Sequence, residues 1–248
     1  MWKKMTTLTH DNALDVSAPD DNTVSPDVAL KHPAEDEKHP TSPESSSITE
    51  WYRRGARKLV YMLYKPKYYG FDRIPETGPA ILIANHVSYV DGLIIHAGIN
   101  RPVHYVIDKT IYELPGVNYF MRLNGSIPIA PKREVVEAAL DQISEYLQKG
   151  ELVCIFPEGR LTYTGSLGRF KPGIEYMVTR DPVPVYHIAL NGLWGSVFSR
   201  KYLRARFRWM PRSLRRREVS AICGDPIQPE DVNINRLQEI VLKLKYSL

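Results

Sequence analysis

The chain is predicted to be an α/β domain, and three observations predict it. Short solid apolar runs, Ile81-Leu82-Ile83-Ala84 and Leu152-Val153-Cys154-Ile155-Phe156 the clearest, alternate with stretches of helical periodicity. Strands of that kind are buried on both faces, so a sheet covered by helices on either side is expected. Both runs end in polar residues, where an open α/β sheet usually binds its ligand. The length of 248 residues with 43% hydrophobic content suffices for one such core.

Taken in order, residues 6–48 are rich in Asp, Ser, Pro, Thr and Glu and lack Trp, Tyr and Phe. They cannot bury enough to offset their ordering entropy, so residues 1–50 are expected to be a disordered acidic tail. The domain is then residues 51–248. Over 51–67, Tyr52, Ala56, Leu59, Val60 and Leu63 recur at helical spacing beside Arg53, Arg54, Arg57 and Lys58, and the amphipathic helix is bounded at 51–69. Two readings of it stand: a cap on the core with a solvated basic side, or an anchor in the plane of an anionic bilayer.

A catalytic core is expected over 70–230. A turn-rich connector at 72–79 leads to a strand at 80–84, a helix at 89–99, a strand at 103–107 and a segment at 112–123 broken by Pro115. A strand at 126–130 precedes the clearest helix, 134–149, with Val136, Leu140, Ile143 and Leu147 on one face and Gly150 placed to end it. Then come a strand at 152–156, a helix at 173–179, a strand at 183–190, strands near 204–209 and 219–223, and a terminal helix within 234–247.

Charge is unevenly spread. Residues 1–50 hold four Lys or Arg against ten Asp or Glu, and the remainder holds 29 against 18. A body that basic concentrates anionic partners: phospholipid headgroups, nucleotide phosphates or nucleic acid. Cys154 and Cys223 both lie in apolar segments, which fits core packing in a reducing compartment rather than a disulfide or a metal site. No window approaches the roughly 20 apolar residues of a membrane-spanning helix, and no apolar run follows the first residues as in a secretory signal. A role on membranes would be played from the surface.

His86 suits proton transfer near neutral pH, and Asp91, five positions on, is the candidate partner for its second ring nitrogen. In a continuous helix that spacing separates two side chains by about 140°, so His86 must lie in the turn before the helix. Ser88-Tyr89-Val90-Asp91 also fits a capping box, which leaves Asp91 either a cap or the orienter of His86. About seventy residues later, Phe156-Pro157-Glu158-Gly159-Arg160 puts a carboxylate, a glycine and a guanidinium at the close of the second buried strand. Glycine permits close approach and arginine suits a phosphate.

Together, Asn85-His86-Val87-Ser88-Tyr89-Val90-Asp91 and Phe156-Pro157-Glu158-Gly159-Arg160 resemble the N-H-x-x-x-x-D and F-P-E-G blocks of glycerolipid acyltransferases of the lysophosphatidic acid (1-acylglycerol-3-phosphate) acyltransferase type. Gly125-Ser126-Ile127-Pro128-Ile129, Phe170-Lys171-Pro172-Gly173 and Val183-Pro184-Val185 resemble the lesser blocks. The resemblance implies a single glycerol-3-phosphate acyltransferase-like domain with a mixed sheet. It implies transfer of an acyl chain from acyl-CoA or acyl carrier protein to the free hydroxyl of a lysophospholipid, 1-acylglycerol-3-phosphate first among them, without metal or cofactor. His86 would be the general base and Asp91 its orienter. Glu158, Gly159, Arg160 and Lys171 would hold the acceptor, with Lys132 or Arg133 as the cation that ends the second block.

Two departures stand out, the first being that the second block commonly ends in an arginine soon after its strand, whereas here Ile129 is followed by Ala130-Pro131-Lys132-Arg133. Family members often read F-P-E-G-[ST]-R, whereas Arg160 follows Gly159 directly, and the F-P-E-G-R-L-T form resembles a subgroup that reacylates lysophosphatidylethanolamine and related lipids. Arg200, Lys201 and Arg204 to Arg217 alternate with aromatic residues, a pattern that suits headgroups, CoA phosphates or acyl carrier protein, and that alone would also suit single-stranded nucleic acid. The expectation is an enzyme peripheral on the cytoplasmic membrane face that binds no nucleic acid. Its rival is a basic lipid-binding or nucleic-acid-binding module without catalysis.

Overall fold

The computed structural model describes residues 46–115, 117–196, 198–200 and 216–247. The expected tail up to residue 45, and the expected strand near 204–209, lie outside the described residues. The elements run α1 (Ser46–Leu63), β1 (Tyr64–Tyr69), β2 (Ala80–Ala84), α2 (Asp91–Gly98), β3 (Val103–Asp108), α3 (Lys109–Tyr112), α4 (Val117–Leu123), β4 (Ile127–Ile129), α5 (Arg133–Gln148), β5 (Leu152–Ile155), α6 (Gly173–Arg180), β6 (Val185–Asn191), β7 (Arg217–Cys223) and α7 (Ile234–Lys245). Seven strands form one mixed sheet in the order β1-β7-β6-β2-β5-β3-β4. From β6 to β4 every pairing is parallel; β7 runs antiparallel to β6, and β1 is parallel to β7.

The strand β2 lies near the middle of the sheet, between β5 and β6, with all five of its residues buried. Alternate side chains along a strand face opposite ways. Ala80, Leu82 and Ala84 accordingly join Ile94 and Ile95 of α2 and Val60 of α1, while Ile81 and Ile83 join Ile143 of α5, Ile174 of α6 and Leu237 of α7. This two-sided burial is the physical reason for an unbroken apolar run in place of an alternating one. Cys154 and Cys223 are free thiols within the core, and burial pushes both of them up, Cys223 to about 12.

One element differs from the sequence expectation. The helix expected over 51–69 starts at Ser46 and stops at Leu63; Tyr64–Tyr69 is an edge strand. There Tyr64, Pro66 and Tyr68 turn inward and Lys65, Lys67 and Tyr69 outward, a period of two that continues the helical pattern without a break in composition. Pro66 is tolerated because an edge strand leaves one side of its ladder unpaired. The remaining elements match expectation within a few residues. The long helix α5 ends at the expected Gly150, with Gly150 N–H donating to Leu147 O (2.9 Å) and Glu151 N–H to Tyr146 O (3.0 Å).

Candidate active site

Val87 and Val90 after β2 and Phe156 after β5 pack on the face that carries α2, and Phe170 before α6 packs on the other. The carboxyl ends of adjacent parallel strands are the usual ligand site of an open α/β sheet. Both sequence blocks emerge there.

Asn85 prepares the turn after β2. Its side chain accepts from Leu190 N–H (2.7 Å) and donates to Leu190 O (3.1 Å), pairing with β6 as a peptide group would. The chain can then turn without leaving those groups unpaired in the interior. His86 follows, in the turn and not in the helix, as its spacing from Asp91 requires. Its Nδ1 lies 2.8 Å from Asp91 Oδ2, and the same oxygen accepts from the backbone N–H groups of Val87 (2.6 Å) and Ser88 (2.9 Å).

One carboxylate oxygen thus holds both the His86 ring and the backbone of the turn that carries it. The bond from Ser88 N–H is the carboxylate half of a capping box, although α2 begins at Asp91 itself and Ser88 does not cap it. Asp91 is wholly buried, and its Oδ1 has no partner among the described residues. Burial pushes the carboxyl above its ordinary value, against the three donated hydrogen bonds that favour the ionised form. A carboxylate beside Nδ1 favours the tautomer with its proton there, which leaves the lone pair on Nε2. The imidazole stacks on Phe156, ring centroids 4.1 Å apart, and its side chain stays 22% exposed.

Sequence reasoning assigns Glu158 to the acceptor; in the structure its carboxylate meets backbone amides. The residue is buried, with Oε1 accepting from His86 N–H (2.7 Å) and Oε2 from Gly168 N–H (2.7 Å). Its carboxylate is thus occupied by backbone amides and ties one block to the other across 72 residues. Burial raises the carboxyl, with the two amides, His86 and Lys245 pulling the other way. A Cβ on Gly168 would come 2.5 Å from Oε2, so any larger residue there displaces the carboxylate. Gly159 holds φ +61°, a region that favours glycine, and closes the turn with Gly159 N–H to Phe156 O at 2.9 Å.

Around this pair the loops converge. Thr162 N–H donates to His86 O (2.9 Å), Lys171 N–H to Pro157 O (2.8 Å) and Tyr89 N–H to Phe198 O (3.1 Å). Arg160 and Lys171 are exposed; the Lys171 side chain passes over Gly159, and Arg160 lies 5.6 Å from the Tyr163 ring centroid. Arg200 packs on the same ring at 3.7 Å. At the end of α7, Lys245 Nζ donates to Gly165 O (2.7 Å) and braces the loop. Lys132 and Arg133, exposed at the start of α5, share the carboxyl edge but stand beyond β4, three strand spacings or about 14 Å from β2.

Sequence reasoning thus names residues that meet here, His86 with Asp91 and Glu158 with His86, and Lys171 over Gly159. It does not find Thr162, Tyr163 with Arg200, Gly168 or Lys245, whose parts are played through backbone contacts or tertiary stacking that no local spacing encodes.

Known proteins are similar to this chain in sequence and in fold. A family model described as Acyltransferase matches residues 65–191. A chloroplastic 1-acyl-sn-glycerol-3-phosphate acyltransferase of Brassica napus, BAT2, is 28% identical over 137 residues, 54% of this chain and 39% of that protein. The 1-acyl-sn-glycerol-3-phosphate acyltransferase of Pseudomonas aeruginosa is 30% identical over 126 residues, 49% of this chain and 48% of that one. The matched part of this chain thus spans about half or less of the length of these curated relatives. The crystal structure of the 1-acyl-sn-glycerophosphate (LPA) acyltransferase PlsC from Thermotoga maritima shares the fold, with a TM-score of 0.63, 19% identity and coverage of 81% of this chain and 82% of that one. With both sequence blocks inside the matched segment and the fold shared along most of its length, the chain belongs to the acyltransferase family.

Proposed function

We propose that this domain is an O-acyltransferase that moves an acyl group from a thioester, acyl-CoA or acyl carrier protein, to the free hydroxyl of a lysophospholipid. The observation that carries the reading is the His86 ring, held through Nδ1 by the buried Asp91 while its side chain stays 22% exposed. In this chemistry Nε2 accepts the proton of the acceptor hydroxyl as its oxygen attacks the thioester carbonyl. The C–S bond then breaks, the imidazolium returns the proton to the leaving thiolate, and an ester and a free thiol result. Asp91 stabilises the imidazolium in between, and Glu158 holds the His86 backbone while the charge forms.

The preferred acceptor is 1-acylglycerol-3-phosphate, supported by the names of the relatives and by Arg160 and Lys171 beside the base. Lys132 and Arg133 extend the same cationic edge, at a distance that suits a phosphate on the donor or at the membrane. We also place the protein peripherally on the cytoplasmic face of a membrane. Among the described residues no helix is long and apolar enough to cross one, while α1 exposes Trp51 and Met62 beside Arg54 and Lys58.

The test is thiol release from acyl-CoA and acyl carrier protein over a panel of lyso-lipids, with phosphate, phosphoethanolamine and neutral headgroups. Transfer that is lost in His86→Ala while vesicle binding persists supports the enzyme. Equal transfer by His86→Ala sinks it, and preference for a phosphoethanolamine acceptor moves the substrate assignment to that class.

A further inference from the structure

The last helix, which follows the segment matched by the family model, ends on a lysine where its own periodicity calls for an apolar side chain. Leu237, Val241 and Lys245 stand four apart and are the buried residues of α7, with Lys245 only 9% exposed. A lysine is seldom that buried unless its ammonium is paired. Lys243, two residues earlier, reaches solvent and pairs with Glu239 at 2.6 Å. Helical spacing puts Lys245 on the inner face; only the tertiary structure names its partner.

That partner is a carbonyl in the loop after Gly159. Lys245 Nζ donates to Gly165 O (2.7 Å), while the backbone O of Lys245 accepts from Asn191 Nδ2 (2.8 Å) at the end of β6. Within the loop the buried Thr162 gathers the chain. Its Oγ1 donates to Ser166 O (2.7 Å) and accepts from the N–H groups of Thr164 (3.3 Å) and Gly165 (3.1 Å). Gly165 also lies against the Trp194 ring, which a Cβ would meet at 2.7 Å. Because Thr162 N–H in turn donates to His86 O (2.9 Å), a short run of hydrogen bonds connects the Lys245 ammonium with the backbone of the base.

Charge works in the same direction. Burial pushes the Lys245 ammonium below its ordinary value, and the Glu158 carboxylate pulls it back up. Glu158 and Thr162 hold the two polar backbone groups of His86, and Lys245 acts on the first by its charge and on the second through the loop. We propose that Lys245 is a positioning residue for acyl transfer: by holding Gly165 O it keeps the loop 162–166 closed on the backbone of His86. The effect on rate rests on the acyl-transfer reading above; the hold on the loop does not.

The experiment uses the full chain and two variants of α7. Lys245→Met keeps the stem of the side chain and removes the ammonium, whereas Leu237→Ala loosens the same helix from the core and leaves the ammonium in place. Hydrogen exchange of the loop amides is read without lipid or donor, and kcat and KM are read by thiol release. In Lys245→Met the amides of Thr162, Thr164 and Gly165 are expected to exchange about tenfold faster, and kcat to fall about tenfold with KM within about twofold of native. Leu237→Ala is expected to melt earlier yet keep native exchange in the loop and native kcat per folded molecule. Native exchange in Lys245→Met overturns the proposal, and so does an equal loss of protection and rate in Leu237→Ala, which would make Lys245 a fixture of the helix alone. Faster exchange at native kcat overturns it too, since a loop that opens without slowing transfer positions nothing. A native chain that releases no thiol sinks the acyl-transfer reading instead, and the exchange comparison then decides the hold of Lys245 on the loop by itself.

Discussion

His86 and His104 each meet a carboxylate, Asp91 at 2.8 Å and Glu151 at 2.5 Å, and each stacks on an aromatic ring. They sit at opposite edges of the sheet, His86 past the carboxyl end of β2 and His104 at the start of β3. His104 has acceptors at both nitrogens, Gly125 O 3.1 Å from Nδ1 and Glu151 from Nε2. His86 has one such contact, and Nε2 makes no hydrogen bond among the described residues. A histidine with protein oxygens beside both nitrogens fastens loops together; one with a single such contact keeps a nitrogen for proton transfer. Proximity of histidine and carboxylate is common to both, so it is the second nitrogen that marks the chemistry.

The comparison breaks most directly by exchange. His86→Ala is expected to lower thiol release by about a thousandfold with little change in melting temperature. His104→Ala is expected to keep turnover per folded molecule and to lose about 1–3 kcal/mol of stability, because it leaves buried acceptors unpaired. Measuring both rates and both denaturant midpoints decides it; comparable rate losses would make the contrast meaningless.

Asp91→Asn comes next. An amide in that place still meets Val87 and Ser88 but destabilises the imidazolium and permits the wrong tautomer, so a fall of about 10² to 10⁴ in kcat is expected at near-native KM. A change in KM alone would assign Asp91 to helix capping only. Glu158→Gln should cost about 1–3 kcal/mol, since one amide N–H of His86 or Gly168 then faces an NH₂ group, and should slow turnover by less than Asp91→Asn. A Glu158 variant of native stability with a raised KM for the acceptor would return this carboxylate to substrate binding.

The smallest effect is one of pH. His104, through its hydrogen bond and then its charge, holds the Glu151 carboxyl below its ordinary 4.5, against burial. A depressed carboxyl contributes stability above its unfolded value, and that contribution is lost as pH falls through the folded value. Below about pH 4.5, the native chain should therefore lose stability faster than His104→Gln, as followed by midpoint denaturant concentration.

Much of the fold and of the site is legible in the residues alone. The pair His86 and Asp91 lies within one turn of chain, so its geometry follows from spacing, and β2 and β5 announce themselves through unbroken apolar runs. The edge strand β1 is not legible: Tyr64, Pro66 and Tyr68 alternate only briefly and directly continue a helix, so the change of period has no marker. Nor is the part played by Glu158. Its partners are the amides of His86 and Gly168, and every residue but proline has an amide, so the sequence bears no trace of which ones are chosen. Lys132 and Arg133 show the converse limit, since sequence order puts them near the second block but only sheet order sets their distance from β2.

Glu158 gives the loop 159–167 the form of a handle fixed at both ends, by His86 at one side and Gly168 at the other. Changes of side chain between those anchors that keep the Thr162 N–H bond to His86 O leave the backbone of His86 held as it is. Transplanting that stretch between relatives should therefore exchange the preferred alcohol while the rate of proton transfer carries over.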